Sequence, residues 1–217
     1  MTQAAIFGDI HLGAKECLHE EFIKALTSVA DILDIIIMNG DFLDSYDERG
    51  KEALDAFVTW CAREGFKEKL VFVTGGMGHE GNLLYDKPDI QVVPYVKLNT
   101  LVGRFIICHG HNIGLKKRVN ETWNQAANNL KKQLVQKDID FLPKILPSDM
   151  LILSHTHIPF YDMDNGVFAT GSWVLKGEFK ENEDFIKRNI GVFILLDDED
   201  RNDPIKIKRF LKINHKN

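Results

Sequence analysis

An aspartate and a histidine two residues apart follow the first apolar run of the chain, a spacing that can aim two metal ligands at one ion. They are Asp9 and His11, within residues 8–13 (GDIHLG) after the apolar residues 4–7 (AAIF). Carboxylates and imidazoles both bind divalent transition metals. One such pair is weak evidence by itself, because an Asp and a His at a strand end more often cap a turn. The pair becomes informative only when further ligands follow.

Four more clusters of polar residues lie along the chain. They are Gly40-Asp41, Gly78-His79-Glu80, His109-Gly110-His111 and His155-Thr156-His157. A single histidine is usually a core residue, but eight histidines that include two spaced pairs are unusual for a core. A binuclear site that hydrolyses phosphate esters needs converging carboxylates and imidazoles. The sequence supplies such a set in Asp9, His11, Asp41, His109, His155 and His157.

The elements that must position these residues alternate between strands and helices in the first half of the chain. Apolar runs predict strands at 4–7, 35–38 and 70–73, and helical spacing predicts helices within 15–33 and 51–64. The polar clusters follow the strands, at the edge where open α/β sheets place their sites. The loop 74–82 contains four glycines, which let backbone approach a ligand closely.

The second half of the chain is richer in strands. Strands are predicted within 92–98 and 101–108, paired antiparallel, and at 150–153, 167–170, 190–196 and 205–213. A polar helix is predicted over 118–137, beginning with the basic cluster Lys116-Lys117-Arg118, which we interpret as a solvated face. No linker or repeat divides the 217 residues, so we expect one α/β domain over residues 1–217.

Composition limits the classes of function. A formal net charge of -5 argues against a protein whose main partner is a nucleic-acid backbone. It does not exclude a phosphate substrate, because bound metal would neutralise some carboxylates. Three cysteines without a CxxC spacing indicate neither a disulfide framework nor a zinc ribbon, and they favour a reducing, cytoplasmic location. No signal peptide or membrane span is expected, and the oligomeric state is open.

The ordered motifs Asp-x-His, Gly-Asp-x-x-Asp, Gly-x-His-Glu, His-Gly-His and x-His-x-His resemble the calcineurin-like metallophosphoesterase superfamily. The resemblance runs from Ile6 to about Trp173. It implies a single-domain four-layer α-β-β-α sandwich with two metals at the carboxyl ends of its strands. The implied ligands are Asp9, His11 and His157 for the first metal and His109 and His155 for the second, with Asp41 bridging. Asp44 completes the second motif, where we expect it to hydrogen-bond rather than to coordinate.

The third motif departs from the family pattern Gly-Asn-His-Glu/Asp, in which the Asn ligates the second metal and the His acts at the leaving group. Gly78 stands in place of the Asn, and the loop is longer. Asn82 could supply the missing oxygen, or Gly81-Asn82 could be the family's Gly-Asn with Leu83 replacing the His, or water could fill the position. We predict Asn82 as a metal ligand and His79 as a catalytic residue.

The resemblance implies a hydrolase that cleaves a phosphomonoester, phosphodiester or diphosphate bond through attack of a metal-bridging hydroxide. Two divalent ions, Mn, Fe or Zn, suit the mixed ligand set. A small phosphorylated substrate is favoured over nucleic acid. A nuclease-type phosphodiesterase acting on DNA and a non-catalytic metal-binding scaffold for protein partners are the alternatives. Gly171-Ser172-Trp173 is similar to a stretch of the branch related to UDP-2,3-diacylglucosamine diphosphatase.

Overall fold

A computed structural model describes residues 3–75, 77–116, 121–175, 189–200 and 202–210. The helices are α1 (His19–Ala30), α2 (Glu48–Arg63), α3 (Met77–Glu80) and α4 (Trp123–Gln136), with a short 3-10 helix at Lys67–Lys69. The strands are β1 (Gln3–Gly8), β2 (Ile35–Asn39), β3 (Leu70–Val73), β4 (Gln91–Val93), β5 (Val96–Thr100), β6 (Gly103–Cys108), β7 (Met150–Leu153), β8 (Phe160–Asp162), β9 (Val167–Ala169), β10 (Val192–Asp197) and β11 (Ile205–Arg209). None of the described helices is long and apolar enough to cross a membrane.

The strands form two sheets. The first has six strands in the order β11-β10-β1-β2-β3-β4, and the second has five in the order β5-β6-β7-β9-β8. Strands β1 to β4 run parallel to their neighbours within that series, as do β6, β7 and β9. Antiparallel strands flank both parallel sets. Each sheet therefore presents several carboxyl ends at one edge.

Alternation of side chains along the strands builds four layers. On β1, Phe7 packs into the core that contains α1 and α2, whereas Ile6 faces the core shared with the second sheet. On β6, Ile107 faces that shared core, and Ile106 packs with Leu130 of α4 on the outer side. The order is helices, sheet, sheet, helix. The predicted α-β-β-α sandwich is confirmed.

The predicted strand over 92–98 is wrong, because proline interrupts it. Pro94 has no N–H to give to a ladder, and it separates β4 from β5. β4 pairs in parallel with β3 in the first sheet, while β5 pairs antiparallel with β6 in the second. The predicted antiparallel pairing is confirmed for β5, the strand after Pro94, which pairs with β6. One continuous apolar segment thus passes from the first sheet to the second.

The helix α4 begins later than the sequence pattern predicts. Thr122 accepts a hydrogen bond from the backbone N–H of Gln125, and the Gln125 side chain accepts one from the Thr122 N–H. This reciprocal capping box fixes the start of the helix at Trp123. Residues 117–120, which carry Lys117 and Arg118 of the predicted basic cluster, lie outside the described residues.

Candidate metal centre

The six ligand residues predicted from the paired motifs form two groups of three. In each group, one potential ligand atom from every residue lies within 4.8 Å of the others. The groups are Asp9, His11 and His157, and Asp41, His109 and His155. A third group of the same kind contains His11, Asp44 and His79. The structure therefore brings together residues that are up to 148 positions apart in the chain, His157 being the most distant from Asp9.

Both sheets contribute to these groups. Asp9 and Asp41 follow the neighbouring strands β1 and β2, whereas His109 follows β6 of the second sheet. Polar contacts join the sheets at this edge, and Asn39 takes part in two of them: its side-chain amide donates to the Cys108 carbonyl at 3.3 Å, and its carbonyl accepts from the Ser154 hydroxyl. The site lies where the carboxyl edges of the two sheets meet.

Backbone conformation marks the same residues. Among the described residues, the non-glycines with positive φ are Asp9 (50°), His11 (52°), Asp41 (43°), His155 (82°) and His157 (55°). This left-handed region costs a residue with a side chain about 1–2 kcal/mol. Such strain persists where the surrounding structure enforces it, and it clusters at functional sites. All five are predicted metal ligands, so the fold accepts strain in order to turn these side chains toward one place.

Two glycines make room for the ligands. A Cβ atom on Gly40 would lie 2.4 Å from the His109 ring, and Gly40 itself has a φ of 72°. A Cβ atom on Gly75 would lie 2.1 Å from the Asp41 backbone nitrogen and 2.4 Å from Asp41 Oδ1. A larger residue at either position would displace a predicted ligand. The close backbone approach that glycines allow is therefore used at the site itself.

Asp9 is a buried carboxylate surrounded by donors. Both of its side-chain oxygens accept from the His155 backbone N–H, at 2.9 and 2.8 Å, and Oδ1 lies 3.6 Å from His109 Nε2. Burial raises the pKa of Asp9, but the nearby imidazoles of His157, His109 and His11 outweigh it and lower the pKa to about 2. Asp9 is therefore ionised at neutral pH.

His109 is fully buried between carboxylates. Its Nε2 lies 3.5 Å from Asp41 Oδ2 and 3.6 Å from Asp9 Oδ1, and within the described residues neither ring nitrogen has a hydrogen-bond partner. Burial lowers the pKa of His109, but the two carboxylates outweigh it and raise the pKa. Buried polar atoms without partners are costly. An imidazole nitrogen facing two carboxylate oxygens in this way fits a divalent cation bound among them.

His155 has the protonation state that a metal ligand needs. Burial lowers its pKa, and the charge of His109 lowers it further, to about 4. A neutral imidazole keeps a lone pair on one ring nitrogen, which is the atom that coordinates metal. Its ring lies edge-on to that of His109, with centroids 5.0 Å apart.

His79 lies at the edge of the two ligand groups. Its Nδ1 is 3.3 Å from the Asp44 backbone carbonyl, and its Nε2 is 4.0 Å from Asp41 Oδ2. The side chain is 36% exposed, and its ring packs edge-on against that of His11. When Nδ1 donates to the carbonyl, Nε2 faces the metal centre. Asp44 Oδ1 lies 3.7 Å from His11 Nδ1, so Asp44 contacts a predicted ligand.

Similar solved structures identify the fold. The phosphoesterase Yfce from E. coli is 15% identical over 98% of this chain and 100% of its own, with a TM-score of 0.52. A single mutant of Vps29 from Entamoeba histolytica is 15% identical over 98% and 99%, with a TM-score of 0.51. The chain has the calcineurin-like phosphoesterase fold. No protein-family model and no curated protein matches the sequence. Identity this low establishes the fold alone, and function must be argued from the site.

Glu80 links two loops at the candidate site. The sequence analysis gave this residue no role of its own. It is buried, and its Oε1 and Oε2 accept from the backbone N–H groups of Phe42 and Gly75, each at 2.7 Å. The carboxylate thus holds the loop after β2 against the loop after β3. Burial raises the pKa of Glu80 to about 7, against the lowering effect of these hydrogen bonds. Its place in the Gly-x-His-Glu motif was the feature that could have identified it.

Two asparagines lie near the third motif. The side chain of Asn82 is exposed in the turn after α3, whereas the other six predicted ligands are buried or half-buried. The Asn82 carbonyl accepts from the Asp86 N–H at 2.9 Å. Asn112, which no sequence pattern indicated, donates from Nδ2 to the Thr74 carbonyl at 2.7 Å. It links the loop that follows His109 to the loop that follows β3.

The segment Gly171-Ser172-Trp173 contacts the backbone of Asp9. The Trp173 side chain is fully buried and packs near Phe7 and Phe22. The Asp9 carbonyl accepts from the Ser172 hydroxyl at 3.0 Å and from the Trp173 N–H at 3.1 Å. The segment therefore helps to fix the strained turn at Asp9, and its tryptophan is a core residue.

Proposed function

We propose that the chain is a metal-dependent phosphoesterase and that residues 1–217 form one metallophosphoesterase domain. The observation that carries the proposal is the pair of carboxylate and imidazole groups at the shared edge of the two sheets. Strained backbone at five of the six residues supports it, because such strain marks functional sites. The reaction is hydrolysis of a phosphomonoester, phosphodiester or diphosphate bond.

The proposed ligands of the first ion are Asp9, His11 and His157, and those of the second are Asp41, His109 and His155, with Asp41 bridging. A mixed set of oxygen and nitrogen ligands suits Mn²⁺, Fe²⁺ or Zn²⁺ better than Ca²⁺. Two such ions, when bound, would lower the pKa of a water molecule and neutralise charge on the phosphoryl oxygens. Asn82 stays a proposed ligand of the second ion, and its side chain would have to turn toward Asp41.

Residues of the chain would position the ions and donate a proton to the leaving group. Asp9 and Asp41 supply negative charge, and His155 supplies a neutral imidazole. A water molecule that has lost one proton to solvent forms the new bond from its oxygen to phosphorus as the bond to the ester oxygen breaks. His79 in its protonated form, held at Nδ1 by the Asp44 carbonyl, donates from Nε2 to the departing oxygen.

A small phosphorylated molecule is the substrate class that we favour over DNA, because the net charge is -5. Membership of the branch related to UDP-2,3-diacylglucosamine diphosphatase, which Gly171-Ser172-Trp173 suggested, stays a proposal, because the contacts of Ser172 and Trp173 with Asp9 do not test it. Cys17, Cys61 and Cys108 form no disulfide, in keeping with the cytoplasmic location that we propose.

The test is hydrolysis by metal-reconstituted protein of p-nitrophenyl phosphate, bis-p-nitrophenyl phosphate, a nucleotide-sugar diphosphate and single-stranded DNA. We expect turnover that chelation removes and that Asp41→Asn abolishes while circular dichroism shows an intact fold. Asp164→Asn, the same change at an exposed aspartate, is the matched control. Full activity of Asp41→Asn or of chelated protein would refute the mechanism. Absence of turnover with metals bound would favour the non-catalytic scaffold, and turnover of DNA alone would favour the nuclease.

A further inference from the structure

A cavity of about 300 Å³ lies beside the second ligand group. Its walls include Gly75, Leu84, Tyr85, Pro94, Asn112 and Phe141. Gly75 touches the Asp41 carboxylate, since a Cβ on this glycine would lie 2.4 Å from Asp41 Oδ1. Asn112 comes three residues after His109 and is bonded to the loop of Gly75 through the Thr74 carbonyl. The cavity therefore adjoins the proposed metal centre.

The chemistry of the walls selects an uncharged and planar group. Among the described residues that line the cavity there is no lysine or arginine. The one carboxylate among its lining residues, that of Glu80, is already bonded through both oxygens to backbone N–H groups. Tyr85 is 56% exposed although it is a large aromatic side chain, and Phe141 is half-buried. These described residues offer no cation to a second phosphate group, whereas they offer an aromatic ring aromatic and aliphatic surfaces to pack against.

We propose that this cavity binds the organic group of the substrate and that this group is aromatic. The inference rests on the proposed phosphoesterase function, because it places the phosphate at the metal centre and the ester group in the adjoining cavity. A cavity of about 150 Å³ can hold a benzene ring, so the available volume is sufficient. Asn112 and Thr74 are polar lining residues that stand close in sequence to His109 and Gly75 and are bonded to each other, so polar substituents of the ring would lie beside them.

The first experiment compares kcat/KM for phenyl phosphate and methyl phosphate in metal-loaded wild type, Tyr85→Ala and Phe141→Leu. Each variant is compared with wild type on the same substrate, so the different reactivity of the two esters cancels. We expect kcat/KM for phenyl phosphate to fall roughly fivefold to tenfold, the size of effect known for lost aromatic contacts, and kcat/KM for methyl phosphate to fall much less. Tyr161→Ala, at an exposed tyrosine on β8, is the control and should match wild type. Equal losses on both substrates would overturn the proposal.

The second experiment measures binding without turnover. Phenylphosphonate, cyclohexylphosphonate and methylphosphonate are titrated into metal-loaded protein by calorimetry. We expect phenylphosphonate to bind most tightly and to lose roughly fivefold to tenfold in affinity in Tyr85→Ala. If no ester is hydrolysed, the proposed function fails while this binding order still supports an aromatic subsite. Equal affinities for the three phosphonates, or no effect of Tyr85→Ala, would refute the subsite whether or not esters are hydrolysed.

Discussion

Replacing Glu80 by glutamine tests whether one buried carboxylate holds the metal centre together. The change keeps one acceptor oxygen but puts an NH₂ group against a backbone N–H, either that of Phe42 or that of Gly75. Burial already raises the pKa of this carboxyl from 4.5 to about 7, so the folded state disfavours its ionised form, and wild type should lose roughly 3 kcal/mol of stability as the pH rises through this range. Glutamine cannot ionise, so Glu80→Gln should lack this loss. For a chain of this length we expect the melting temperature of the metal-free wild type, relative to that of the variant, to fall by roughly 6–12 °C between pH 5 and pH 9.

The same substitution should weaken metal binding, because Phe42 is the neighbour of Asp41 and Gly75 packs against the Asp41 carboxylate. Residues that orient metal ligands typically contribute about 10–100-fold to metal affinity. We expect a loss of this size by calorimetric titration of Mn²⁺ or Zn²⁺. Glu52→Gln, the same change at an exposed position on α2, should behave as wild type. Unchanged metal affinity in Glu80→Gln would show that the two backbone contacts do not hold the site, and the same pH dependence of the melting temperature in variant and wild type would show that burial does not raise the pKa of Glu80.

Three further substitutions give distinct outcomes. We expect His79→Ala to lower kcat by about 100-fold with the metal content per chain preserved in elemental analysis; loss of metal would instead make His79 a ligand. Gly40→Ala should cost about 1–3 kcal/mol more in urea unfolding than Gly65→Ala, because both glycines have positive φ but only at Gly40 does a Cβ meet the His109 ring. The Arg104 guanidinium donates two hydrogen bonds to the Asp149 carboxylate. Burial raises the pKa of Asp149, but Arg104 and the Leu146 N–H outweigh burial and lower the pKa below the ordinary 3.8. The stability that this ion pair contributes is therefore present above pH 3.8 and lost as the pH falls below that value. Asp149→Asn should lower the free energy of unfolding at pH 7 by about 2 kcal/mol. Below pH 3.8 the free energy of unfolding of the variant should fall less steeply with pH than that of wild type.

The sequence carried enough information to predict the layers of the fold and the places where polar residues leave the strands. Continuous apolar runs such as residues 35–38 are typical of parallel strands covered on both sides, and β2 has that environment. Asp9, Asp41, His109 and His155 follow strand ends in the sequence, and parallel pairing brings those ends to one edge. At these four positions the local sequence pattern and the sheet geometry agree, so the sequence was sufficient to predict that the residues lie at one edge.

The parts that escaped prediction depend on contacts between distant segments. The position of β10 beside β1 joins residues about 190 apart, and no periodicity encodes that pairing. The bonds of Glu80 to two loops and of Ser172 to the Asp9 carbonyl appear only when the turns are in place. Pro94 was visible in the sequence, but its effect, the transfer of the chain to the other sheet, depends on where β3 and β6 lie.

Because the two proposed ligand sets draw residues from both sheets, bound metal would act as a cross-link between the halves of the sandwich. An ion held by Asp41 after β2 and by His109 after β6 joins segments that otherwise meet at this edge through a few polar contacts and the shared apolar core. A ligand that binds only the folded state stabilises it in proportion to the logarithm of its concentration over its dissociation constant. Metal supply would then set how firmly the two sheets stay together, as well as whether the site can react.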